Sequence, residues 1–220
     1  MRIKNILLTV LPALLLVCGA PRPAGQPKTL APVEVREYQG EKLGSSADFH
    51  ENSIKGPQRV DRAKYRLTVD GLVGTPRVYR YDEVLSRFQH YQKVVHIFCV
   101  EGWDVNVLWD GVLVKDLLKS SGVKPEARVV IFHAQDGYTS SLPLDYFLDN
   151  DIMMAYNLNG APLRPERGFP FELVAENKWG YKWVKWITRI ELSCDTTYRG
   201  YWERRGYSNQ GNLKERFLER

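Results

Sequence analysis

The feature that most constrains this chain is a series of short apolar runs, each of strand length and most of them closed by a turn signal. Val94 to Val100 is apolar around one histidine, His96, and Arg128 to Ala134, Ile152 to Tyr156, Phe171 to Ala175 and Val184 to Leu192 continue the series. Runs this short read as strands, because a helix of a globular protein needs ten or more residues of 3.6 periodicity. Asp70-Gly71, Trp109-Asp110-Gly111, Asp136-Gly137 and Asn159-Gly160 supply the turns, since Asp, Asn and Gly tolerate tight backbone geometry. Arg66 to Val69 with the segment from Leu72 to Pro76 reads as strand, turn, strand. Helical spacing is confined to short pieces: Tyr81 to Leu85 with Asp82 as N-cap, Leu113 to Leu118 closing at Gly122, and a turn opening at Ser141. Short strands with few short helices between them predict an α+β fold, not a doubly wound sheet.

Composition agrees. A chain of 220 residues with 44% hydrophobic and 26% charged residues buries a core and is neither disordered, collagenous nor coiled coil. A net charge of +5, dispersed among acids and aromatics, lacks the basic stripe that tracks phosphates, so no nucleic acid is expected. No glycine-rich nucleotide loop, nucleophile elbow or paired-histidine zinc motif is present.

The N-terminus reads as an address. Arg2 and Lys4 precede an apolar run from Ile6 to Val17, too short to span a bilayer and of signal-peptide length. Leu15-Leu16-Val17-Cys18-Gly19 resembles the lipobox of bacterial lipoproteins, so Cys18 is a candidate lipid anchor and ordinary cleavage the alternative. The expected organisation is a leader over 1–20, a linker over 21–34 and one domain over 35–220, exported to the periplasm or another extracytoplasmic space.

Outside the leader only Cys99 and Cys194 remain. In an oxidising compartment they are a candidate disulfide. Cys99 stands near the end of its strand, before Gly102, where a thiol is held by the sheet and reached through a loop; nucleophile, soft-metal ligand and small buried hydrophobe all remain open. Downstream, Lys178, Lys182 and Lys185 alternate with Trp179, Tyr181, Trp183 and Trp186. That pattern suits an anion beside a flat heterocycle, and equally a strand whose lysines face water.

Cys99-Val100-Glu101-Gly102-Trp103 followed by Trp109-Asp110-Gly111 resembles the active-site segment of the sulfite oxidase fold family, particularly the catalytic subunit of the periplasmic protein-methionine-sulfoxide reductase. The likeness continues through Leu67-Thr68-Val69-Asp70-Gly71, Asp136-Gly137-Tyr138, Asn159-Gly160-Ala161-Pro162-Leu163 and Gly168-Phe169-Pro170 to Val184-Lys185-Trp186-Ile187, covering about residues 48–193. It implies a molybdopterin-binding fold of mixed β-sheets with short helices, and the molybdenum cofactor with Cys99 as metal ligand. It also implies cofactor contacts at Asn52, Ser53, Arg167, Lys182, Trp183, Val184 and Lys185, with Tyr138 a catalytic candidate at the cavity mouth.

The resemblance further implies two-electron oxygen-atom transfer to or from a sulfur or nitrogen centre, small or protein-bound, with electrons exchanged through a separate membrane haem or quinone protein. Reduction of an S-oxide or N-oxide is favoured over sulfite oxidation, because the several arginines that usually face an anionic substrate cannot be identified. Glu172 stands where the family usually has arginine, Ala134 where the reductase has a hydroxyl residue, and no twin arginine precedes the leader. These departures keep alive an alternative: a cofactor-free binding module on the same fold, anchored at the cell surface. The stretch from Cys194 to Arg220, rich in Tyr and Trp, lies beyond the resemblance and is expected to wrap the domain or dock a partner.

Overall fold

The computed structural model describes residues 33–219. The leader and nearly all of the linker, with Cys18, lie outside the described residues. The chain opens with a two-residue hairpin, β1 (Glu37–Tyr38) and β2 (Glu41–Lys42), followed by β3 (Leu67–Gly71), β4 (Arg77–Tyr79), α1 (Tyr81–Arg87), β5 (Tyr91–Phe98) and β6 (Asp104–Leu113). Then come α2 (Val114–Ser121), β7 (Val129–Ala134), β8 (Thr139–Pro143), α3 (Leu144–Leu148), β9 (Met153–Leu158), β10 (Ala161–Pro162), β11 (Glu172–Val174) and β12 (Ile187–Ser193).

Two sheets carry the domain. One is antiparallel, in the order β10-β9-β6-β5 with β11 also on β9; the other runs β4-β3-β12-β7-β8 and is mixed, because β12 pairs parallel with β3. Between and around them one apolar cluster joins Trp109, Phe132, Phe147 and Phe171, all fully buried, to Leu117 and Leu118 of α2. Each such side chain contributes roughly 1.5–3 kcal/mol by leaving water. The α+β architecture expected from the short runs is the one observed.

Several local expectations are corrected. Asp110-Gly111 is not a turn: β6 runs through it with a register shift against β9. A Cβ on Gly111 would meet Met154 O at 2.6 Å, so this glycine serves a close crossing of two strands rather than a reversal. Asp82 lies inside α1, whose N-cap is Arg80; Glu83 accepts from the Arg80 N–H at 2.8 Å, while Asp82 pairs with Arg62. The β5 run is not wholly buried. It is an edge strand whose Val95 and Ile97 face the core while His96 is exposed and bonded to Asp104. Residues 184–186 do not belong to β12 either, because a 3-10 turn at Gly180–Lys182 and a left-handed Trp186, φ 51°, precede the strand. Gly122 caps α2 at φ 70°, as read from the sequence.

Candidate active site

β5 delivers Cys99 to the head of the tight loop that leads into β6. Cys99 N–H donates to Trp103 O at 2.9 Å and Gly102 N–H to Cys99 O at 3.1 Å, closing a turn that needs the left-handed φ of 85° at Gly102. Cys99 is 6% exposed and lines a cavity of about 140 Å³ that opens to solvent. Asn52 Nδ2 donates to Cys99 Sγ at 3.8 Å. Burial pushes the thiol's pKa up, and the hydrogen bonds from Asn52 and from the backbone of Glu101 and Val100 oppose that rise. Gly180 lets the 3-10 turn lie against the thiol loop: a Cβ there would stand 3.4 Å from Cys99 Cα. Cys99 and Cys194 are both free, the first buried and the second exposed, so the candidate disulfide is not formed.

One end of the cavity is charged. Arg167, 5% exposed, lays its guanidinium 4.3 Å above the Phe49 ring and spends Nε on Glu166 O. Its terminal nitrogens have no partner among the described residues. Lys185 Nζ bonds Glu51 Oε1 at 2.9 Å and stands 4.4 Å above the Trp186 ring. Burial lowers the pKa of Lys185 and Arg167 adds to that, while Glu172 and Glu51 pull it back. Between these cations Glu172 is buried, with Oε2 unpartnered. Burial pushes its carboxyl up to about 7, against the pull of Arg167 and Lys185.

The other end is aromatic. Tyr138 and Tyr181 meet Trp202 and Tyr207 of the C-terminal segment, with Tyr181–Tyr207 and Trp202–Tyr207 ring centroids each 5.1 Å apart. The Tyr138 hydroxyl donates to Tyr181 O, and burial raises its pKa well above the usual phenol range. It therefore shapes the wall as a neutral ring whose only proton is already engaged.

Asn52, Ser53, Cys99, Tyr138, Arg167, Trp183 and Lys185 are thus brought into one cavity. Lys182 is not. Its side chain is fully buried, 2.5 Å from Glu203 Oε1 and 2.9 Å from Ser141 O, so it holds the C-terminal segment rather than a ligand. A strand geometry would have turned Lys182 outward, whereas the 3-10 turn drives it inward. The Val184 side chain belongs to the core. Val184 is 0% exposed and, like Lys182, does not line the cavity. Two features escaped the sequence reading: Glu172 as a buried acid, and Trp202 and Tyr207 as cavity walls.

The donor set suits an anionic pterin cofactor. A thiol in the wall is a soft-metal donor, and Arg167 and Lys185 match a phosphate, beside which the Glu172 carboxyl, raised to about 7, can stand protonated and donate to a phosphate oxygen.

Comparison with known proteins gives the same direction. Residues 54–202 match the oxidoreductase molybdopterin binding domain. An uncharacterized oxidoreductase of Bacillus subtilis (strain 168) is 39% identical over 157 residues, covering 71% of this chain and 78% of that protein. A putative protein-methionine-sulfoxide reductase subunit of Azospira oryzae is 30% identical over 182 residues, covering 83% and 68%. The mitochondrial sulfite oxidase of Drosophila melanogaster is 30% identical over 156 residues, 64% of this chain but 27% of that longer protein. Among solved structures, the sulfane dehydrogenase SoxCD from Paracoccus pantotrophus superposes with a TM-score of 0.62 at 26% identity, covering 70% of this chain and 43% of that one. The chain therefore belongs to the oxidoreductase molybdopterin binding domain family and is a molybdopterin-dependent oxidoreductase with the sulfite-oxidase-type fold.

Proposed function

We propose that this is an exported enzyme that reduces a neutral S-oxide or N-oxide, with Cys99 as the protein ligand of the metal. The observation that carries the reading is the Cys99 thiol in the cavity wall, held by its loop and by the Asn52 amide. When bound, the cofactor supplies two-electron oxygen-atom transfer at sulfur or nitrogen. For a sulfoxide the balance is two electrons and two protons taken up, the S–O bond broken, and a thioether and water released.

The chain's own contributions follow from the geometry. Cys99 gives up its proton on ligation, which the burial of the thiol otherwise opposes. Arg167 and Lys185 hold the anionic end of the cofactor, and Trp183, packed on Trp109 with centroids 5.8 Å apart, fixes the wall beside them. Three acids, Glu101, Asp136 and Glu172, line the cavity against two bases, Arg167 and Lys185, which the cofactor itself occupies. That balance repels a sulfite dianion and accepts a neutral oxide.

Electrons come from a separate protein, a membrane haem or quinone carrier, as the word subunit in the name of the Azospira relative supports. Export, with or without lipidation of Cys18, rests on the leader sequence. The test is metal and pterin analysis of protein made in a molybdenum-competent host, beside Cys99→Ala. About one molybdenum per wild-type chain, with changed metal spectroscopy in the variant, supports the reading. Folded protein free of cofactor under those conditions favours the surface-anchored binding module instead.

A further inference from the structure

We infer that the C-terminal segment, residues 198–219, is the specificity wall of the substrate site, and that Trp202 and Tyr207 select small neutral alkyl oxides over bulky ones. This rests on the oxygen-transfer reading above. Most of the segment lies beyond the family match, yet it is locked onto the fold as firmly as a core element. The Lys182–Glu203 ion pair is 0% exposed on both sides, and Ser140 Oγ donates to the same Glu203 oxygen at 2.6 Å. Tyr201 N–H donates to Thr139 O at 2.8 Å, Trp179 N–H to Gly211 O at 2.8 Å, and Tyr181 Oη to Ser208 O at 2.7 Å. Two glycines permit this contact: a Cβ on Gly200 would meet Thr139 O at 2.2 Å, and one on Gly211 would meet Lys182 Cγ at 2.6 Å.

What this locked segment presents to the cavity is aromatic. Trp202 and Tyr207 line the cavity with Tyr138 and Tyr181 and pack with Tyr181 ring against ring, in a group whose contacts are separate from those of Arg167 with Phe49 and of Lys185 with Glu51 and Trp186. With the basic end matched to the anionic cofactor, the aromatic end is left for the substrate. Ring faces and edges attract the polarizable sulfur of a thioether or sulfoxide, by roughly 0.3–1.5 kcal/mol per contact. They offer no cation to an anion. The ion pair and the backbone bonds fix the main chain, and the rings pack on Tyr201, Tyr181 and Phe217, so they limit size as well as polarity.

The experiment compares wild type with Trp202→Ala, Trp202→Phe and Tyr207→Leu, each checked for thermal melting and molybdenum content. Dimethyl sulfoxide and methyl phenyl sulfoxide are the substrates, reduced benzyl viologen is the electron donor, and binding of unreactive dimethyl sulfone is followed by tryptophan fluorescence. Trp202→Ala is expected to raise the KM for dimethyl sulfoxide and the Kd for dimethyl sulfone about tenfold, with kcat within about twofold. The same variant lowers the KM for methyl phenyl sulfoxide, and Trp202→Phe restores most of the original preference. Unchanged KM and sulfone affinity at full molybdenum content overturn the inference while leaving the oxygen-transfer reading intact. Molybdenum lost in parallel from all three variants also overturns it, because the segment then retains the cofactor rather than selecting the substrate. Wild-type protein without molybdenum overturns the oxygen-transfer reading itself, and this inference with it.

Discussion

The two ends of the cavity draw on the same short stretch of chain and use it in opposite ways. Lys182 and Lys185 are three residues apart in the sequence. Lys182 is fully buried beneath the aromatic end, in an ion pair with Glu203, while Lys185 stands in the charged end, shared between Glu51 and the cavity. The 3-10 turn ends at Lys182, and Trp183, extended at φ −87° and ψ 93°, changes the chain's course before Lys185. A buried, hydrogen-bonded ion pair inside the protein is a structural fastening, and a cation at a cavity wall is available to a ligand. The difference teaches that residue type alone does not assign the role; the partner each lysine meets does.

The sharpest way to break this comparison is Glu203→Ala. It strands the Lys182 ammonium where its side chain has no solvent, and breaking one partner of a buried pair typically costs about 3–5 kcal/mol. Denaturant unfolding of the cofactor-free protein is expected to show that loss. Lys182→Met combined with Glu203→Leu is expected to recover much of it, because neither charge then remains buried. If Glu203→Ala leaves the midpoint unchanged, the segment is not fastened by this pair.

Glu172 gives the next effect, and its sign is specific to the charged end. Its carboxyl titrates from an ordinary 4.5 in the unfolded chain and from about 7 in the folded protein. The folded state therefore binds the proton more tightly, so this group's contribution to stability is full below about pH 4.5 and falls as pH rises through 7. The swing is about 3 kcal/mol at most. Glu172→Gln is expected to flatten that part of the stability profile in cofactor-free protein, measured by denaturant midpoints between pH 5 and pH 8. A variant whose pH profile matches wild type would place the ionised carboxylate in a better-solvated setting.

The sequence was legible where a rule acts locally. Short apolar runs carried the α+β class, Gly122 marked the end of α2, and the Cys99 segment with its downstream partners carried the family. It misled where a residue's neighbour comes from far along the chain. Gly111 reads as a turn until Met154 is seen against it, and Asp82 reads as a cap because Glu83 reaching back to Arg80 leaves no stronger local mark. Lys182 read as a cofactor contact because its partner, Glu203, is 21 residues away in a segment without strand or helix periodicity. Trp202 and Tyr207 were visible as an aromatic cluster, yet which surface they cover is decided by the fastening at Lys182 and Thr139. Glu172 was noted as a departure from the family, and only packing shows that it is buried between two cations.

Lys185→Ala tests the charged end where its stability effect is smallest. Its partner Glu51 keeps 32% of its side chain exposed, so their pairing is screened by water and contributes about 1 kcal/mol or less. Unfolding of the cofactor-free protein is therefore expected to change little, in contrast to Glu203→Ala. The cation's effect appears only with an anion present. Lys185→Ala is expected to lose pterin and molybdenum on dialysis at raised ionic strength, while wild type retains them, since a remaining Arg167 alone neutralises less of a phosphate. Lys185→Arg keeps the charge but changes its reach, and an intermediate retention is expected. Equal destabilisation by Lys185→Ala and Glu203→Ala, with equal cofactor retention, would erase the distinction between the two lysines and make both of them parts of the scaffold.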